Sequence, residues 1–132
     1  MASKLGYVLT VGLVFVLISS LYIFNDKPTN SIPLLISVSE ARSRRFGLII
    51  DIRTQKERET LGYYPNSIPI ALETIQSEVP LDISNKNTWI LIYSQEGGVK
   101  ARLAAETLYR MGYPNVRYIH TSYLSLMPGS SY

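Results

Sequence analysis

The chain has 132 residues, room for one globular domain and an appendage. It carries a formal net charge of +3, 17% charged and 46% hydrophobic residues, and no cysteine, which excludes disulfides and thiolate metal sites. Its basic residues are scattered apart from Arg42, Arg44 and Arg45, and no basic stripe interleaved with aromatics marks a nucleic-acid footprint.

The low charge content has one main source, an uncharged apolar run between Lys4 and Asp26. At about 1.5 Å per residue it makes a helix near the ~30 Å thickness of a bilayer's hydrocarbon core. Tyr7 sits at one end and Tyr22 and Phe24 at the other, where interfacial aromatics lie. The expectation is a single transmembrane anchor over residues 1–25, meeting the lipid bilayer through residues 5–25. The run is long for the core of a cleaved signal peptide, and no clear small-x-small cleavage pattern follows it. A buried core helix fits poorly, because leucine and β-branched residues occur all round the helical wheel. Lys4 on one side, and the nearly cancelling Asp26 and Lys27 on the other, leave the orientation and the identity of the membrane open.

Residues 26–33 read as a polar, proline-punctuated linker. Leu34–Ile36 is a short apolar strand candidate. Ser37 with Glu40 three residues on matches a capping box, opening a short helix to about Arg45 that stops near Gly47. The arginines of this segment read either as a solvated helix end or as contacts to anionic headgroups. Leu48–Ile52 is an apolar run containing one carboxylate, as in a strand buried on both faces of a parallel sheet. Thr54–Leu61 is rich in helix formers and ends at Gly62. Residues 63–67 form a turn, and 68–71 a short strand whose Pro69 favours an edge. Leu72–Val79 suits a short helix and 84–87 a loop. Trp89–Tyr93 is the second apolar strand. Val99–Met111 is the strongest helix, with Leu103, Ala104, Thr107, Leu108 and Met111 on one stripe. Gly112 caps it and Pro114 prevents its continuation. A last strand over 115–119, a helical turn over 121–126 and a loose tail over 128–132 complete the chain. Strands alternating with helices imply an α/β domain over 34–127, a parallel sheet flanked by helices.

Four segments in this order resemble the motifs of the rhodanese-like domain family. They are Leu48–Arg53; Gly62–Ile70; Tyr93–Gly97 with the following Ala101–Ala105; and Gly112–Val116 with Tyr123–Leu126. The resemblance spans about residues 34–126 and implies that family's fold. It also makes the segment Ser94, Gln95, Glu96, Gly97, Gly98, Val99 and Lys100 the counterpart of the family's active-site loop. The departures fall at the chemistry. The resemblance puts the family's nucleophilic cysteine at Ser94, an arginine five residues later at Val99, and the histidine of the earlier turn at Tyr63, while Gly97 is kept.

Such a loop works through backbone N–H groups and a helix dipole that lower a thiol's pKa and hold the resulting anion. Serine has no accessible anion near neutral pH, so the expectation is a vestigial loop with no catalytic residue, no cofactor and no sulfur transfer. Two alternatives stay open. A serine hydrolase or weak phosphatase needs a base beside Ser94, and His120 and Asp51 lie on the rim shared by parallel strand ends. That reading lacks the Gly-x-Ser-x-Gly elbow. A small-anion sensor would use the 94–100 loop and Lys100, against the repulsion of Glu96 and without arginine's bidentate fork. Asp51 and Arg53 otherwise read as rim residues bonded to each other or to nearby backbone. The expected function is a single-pass, membrane-anchored, non-catalytic module. It would serve as a structural or protein-binding subunit of a larger membrane-associated assembly, such as a respiratory or photosynthetic complex or a virus particle with an internal membrane.

Overall fold

The computed structural model describes residues 33–130. The apolar run over 5–25 and most of the linker lie outside the described residues. Among the described residues, no helix is long and apolar enough to cross a membrane.

Helix α1 spans Val38–Ser43, and the Ser37 side chain accepts from the Glu40 N–H at its start. Strand β1 is Leu48–Asp51, helix α2 Gln55–Leu61, strand β2 Ile68–Pro69 and helix α3 Ile75–Asp82. Strand β3 is Ile90–Tyr93, helix α4 Val99–Arg110 and strand β4 Val116–Tyr118. Two 3-10 turns, Leu72–Thr74 and Tyr123–Leu126, complete the elements among the described residues.

The sheet order is β2-β1-β3-β4 and every pairing is parallel. The two apolar runs are therefore the central strands, with Asp51 at the end of β1 their one charged residue. Alternation splits their side chains between two cores. Leu48, Ile50, Ile90 and Ile92 pack with residues of α3 and α4, while Leu91 and Tyr93 pack with Ala41 of α1 and with Tyr123 and Leu126. Pro69 lies in the edge strand β2, where its missing N–H leaves no ladder bond unmade.

Three details differ from expectation. Leu34–Ile36 contributes one parallel bridge, Leu35 to Tyr118, because the chain leaves at once for α1. The buried face of α4 is Ala101, Ala104, Ala105 and Leu108, and Leu103 is 40% exposed. Small alanines fill most of the contact of this helix with the core, and the larger Leu103 faces outward. Helix α3 runs through Pro80 to Asp82, since the carbonyl deprived of a partner belongs to exposed Gln76.

Candidate functional site

The C-terminal ends of β1 and β3 meet on one rim, where Asp51 and Tyr93 are register partners. Asp51 is fully buried and its two carboxylate oxygens accept five hydrogen bonds. Oδ1 takes the Arg53 backbone N–H at 3.0 Å and Nε at 2.9 Å. Oδ2 takes Arg53 Nη2 at 2.8 Å, Arg58 Nη1 at 3.1 Å and the Tyr93 hydroxyl at 2.9 Å. Burial alone would push this carboxyl up, but the bonds from Arg53 and Tyr93 outweigh it and hold it below its ordinary value. The same Arg53–Asp51 hydrogen bonding raises the Arg53 guanidinium. Burial pushes the Tyr93 phenol up, and its proximity to the Asp51 charge adds to this.

The knot extends into the turn before β2. Arg58 donates to Ser67 Oγ and to the Ser67 carbonyl, the Tyr64 N–H reaches Tyr93 Oη at 3.1 Å, and Arg53 Nη2 reaches the Gly62 carbonyl. Asp51 and Arg53 are bonded to each other, as one sequence reading had them, and form the buried fastening between β1, β3, α2 and the 62–67 turn, while Arg53 also lines the cavity at the loop.

The loop leaving β3 is held on every side. Ser94 is 4% exposed and its hydroxyl donates to the Gln95 carbonyl at 3.3 Å. The Gln95 side-chain amide donates to Glu57, whose other oxygen completes a capping box with Thr54 at the start of α2. These bonds, Gln95's first, hold the Glu57 carboxyl below its ordinary value, with help from the Lys100 charge. Glu96 accepts from the Ser122 N–H at 3.1 Å. The Gly97 N–H donates to the His120 carbonyl at 2.8 Å and the Gly98 N–H to the Gln95 carbonyl at 3.1 Å. Gly98 lies in the left-handed region at φ +61°, and a Cβ there would sit 2.8 Å from His120 Cα. The loop thus presses directly on the backbone after β4.

A cavity of about 170 Å³ opens at the loop, lined by Arg53, Glu57, Ser94, Gln95, Glu96, Val99 and Lys100. It gathers two carboxylates, an arginine already satisfied by Asp51 and Gly62, and Lys100. His120 is exposed and touches the loop through its main chain, and among the described residues no hydrogen bond joins Ser94, His120 and Asp51. The residues missed from sequence are Arg58 and Ser67 in the knot, and what the structure adds is the role of Tyr93 as its junction and of Glu57 as the loop's tether. One signal was available, since Tyr93 ends an apolar strand as Asp51 ends its neighbour.

Residues 37–126 match the sequence profile described as Rhodanese-like domain. A comparison with curated protein sequences finds no match. Among solved structures, the chain is similar to a human single-domain sulfurtransferase (TM-score 0.59, 17% identity, covering 76% of this chain and 100% of that one). It is also similar to a rhodanese-like domain protein of Staphylococcus aureus (TM-score 0.54, 22% identity, 73% and 93% covered). A single-domain sulfurtransferase of Saccharomyces cerevisiae aligns with a TM-score of 0.53 at 19% identity, over 71% of this chain and 88% of that one. At these identities the likeness is one of fold. By the family match over most of its length, the chain belongs to the rhodanese-like domain family.

Proposed function

We infer that this rhodanese-like domain is a non-catalytic module, held at a membrane by the apolar run over 5–25, and that it serves as a structural or protein-binding subunit. The observation that carries the reading is the commitment of the loop's own groups. The Ser94 hydroxyl, two loop N–H groups and the Gln95 amide all bond within the protein. Sulfur transfer in this fold needs a nucleophile that becomes an anion and donors turned towards it. Here the position matching the family's cysteine carries a hydroxyl, and the chain has no cysteine to take its place.

Glu57 and Glu96 line the small cavity beside Lys100, which weighs against a phosphate or sulfate seat there. For a serine hydrolase, Asp51 would have to orient His120, and its oxygens are taken by Arg53, Arg58 and Tyr93.

The test is extraction of the full chain in mild detergent, with and without Ser94→Ala. Co-migration with stoichiometric partners, unchanged by the substitution, is the expected result. A free monomer whose hydrolytic or transferase turnover disappears in Ser94→Ala would overturn the reading.

A further inference from the structure

On the sheet face beneath α1, Phe46, Ile49 and Tyr64 are only half-buried against a buried cluster. Ala41, Leu91, Ile119 and Leu126 pack together there. Beside them lies a cavity of about 530 Å³, floored by Ile49, Leu91 and Leu126 and walled by Arg42, Arg44 and Arg45. A second cavity of about 360 Å³ shares Phe46, Ile49 and Tyr64 with it, extending the groove.

The positive charge on this wall is poorly compensated. Arg42 and Arg45 are exposed and have no carboxylate partner among the described residues. Arg44 meets Glu40 at 3.4 Å on the surface, and its Nε is buried without an acceptor. Its guanidinium lies 3.9 Å over the Trp89 ring, and that of Arg117 lies 5.1 Å from the same ring. Burial, and then the Arg44 charge, lower the Arg117 guanidinium from its ordinary value.

An apolar floor accepts aliphatic carbon, and a guanidinium wall accepts phosphate or carboxylate through paired N–H donors. Both line one cavity of about 530 Å³, within the roughly 300–1,000 Å³ of small-ligand sites. We propose that this cavity binds the headgroup and upper acyl chain of an anionic membrane lipid. The lipid source rests on the membrane-anchored reading. The linker over 26–33 spans at most about 28 Å when fully extended. An anchored domain therefore stays near the bilayer surface, where juxtamembrane arginines gain from anionic headgroups.

Trp89 is the chain's single tryptophan and reports on Arg44 directly. The full chain is reconstituted into vesicles of phosphatidylcholine, with or without 30 mol% phosphatidylserine, and its Trp89 emission is recorded at low and high salt. The expected result is a spectral change that requires phosphatidylserine and fades with salt. Arg42→Gln and Arg45→Gln should each weaken the phosphatidylserine-dependent Trp89 response by about fivefold. Arg110→Gln, on the helix of the opposite sheet face, should leave it unchanged.

Identical emission with and without phosphatidylserine, or a response unaltered by Arg42→Gln/Arg45→Gln, overturns the proposal. The same change with millimolar inorganic phosphate and no anionic lipid also overturns it, in favour of a soluble anion. Flotation after an alkaline carbonate wash reports the anchor separately. A chain that floats without a lipid-dependent Trp89 change refutes the lipid site alone. A lipid-dependent change in a chain that fails to float supports the site and refutes the anchor.

Discussion

The Tyr93 hydroxyl donates to Asp51 Oδ2 at 2.9 Å, joining the register partners that end the two central strands. Tyr93 Oη in turn accepts from the Tyr64 N–H and lies 2.9 Å from Ser67 Oγ. Tyr93→Phe keeps the ring in the core and removes this junction. It should cost about 1–3 kcal/mol, the penalty for buried polar groups left unpaired. Urea unfolding should show a lower midpoint with an unchanged slope; an unshifted midpoint would mean that the junction adds nothing to stability.

Asp51 gives the fold an acid limit. Its carboxyl titrates below the ordinary value in the folded chain, so its stabilisation is present above the unfolded pKa and is lost as pH falls through the folded one. Unfolding free energy should therefore fall progressively below about pH 4. Asp51→Asn should lose that part of the acid dependence. At neutral pH it should be destabilised by about 3–5 kcal/mol, because Arg53 and Arg58 are left buried without their counter-charge. Denaturant titrations at several pH values check both; a variant with the parent's full acid slope would assign that slope to other carboxylates.

The frame of this fold was legible in local pattern. Leu48–Asp51 and Ile90–Tyr93 are uninterrupted apolar runs up to their last residues, and a parallel sheet buries such strands on both faces. The site was less legible because its bonds cross large sequence distances. Gln95 finds Glu57 at a separation of 38 residues, and Tyr93 finds Asp51 at 42. Arg58 sits in the polar stretch Gln55–Leu61, where nothing in the spacing marks it as the side chain that turns inward. The capping rule read at Ser37 holds only by half, since Glu40 turns to Arg44. The full box forms at Thr54 and Glu57, where the same rule applied.

Gly97 and Gly98 both adopt positive φ but differ in their surroundings. A Cβ on Gly98 meets His120 Cα at 2.8 Å and the Ile119 carbonyl at 2.9 Å, whereas one on Gly97 meets nothing within 4 Å. Gly98→Ala should cost about 2–4 kcal/mol through strain and collision with backbone, and Gly97→Ala about 1–2 kcal/mol through strain alone. Thermal unfolding of the pair checks the order; equal losses would show that packing against His120 is not what fixes Gly98.

Gln95 ties the loop to α2 through Glu57. Gln95→Ala should leave the unfolding midpoint nearly unchanged while the amides of residues 95–98 exchange faster, since local opening is set by local contacts. Hydrogen exchange read by residue checks this, and unchanged protection in the loop would show that the Gly97–His120 and Glu96–Ser122 bonds suffice.

The most direct measurement is sulfur transfer from thiosulfate to cyanide by the full chain, beside Ser94→Ala, Ser94→Cys and Ser94→Cys/Val99→Arg, with each fold checked by circular dichroism. The parent and Ser94→Ala should match the protein-free blank. Ser94→Cys alone should restore little, because exposed Val99 offers an anion no guanidinium, and the added arginine should raise the rate. Turnover by the parent that vanishes in Ser94→Ala would contradict the account.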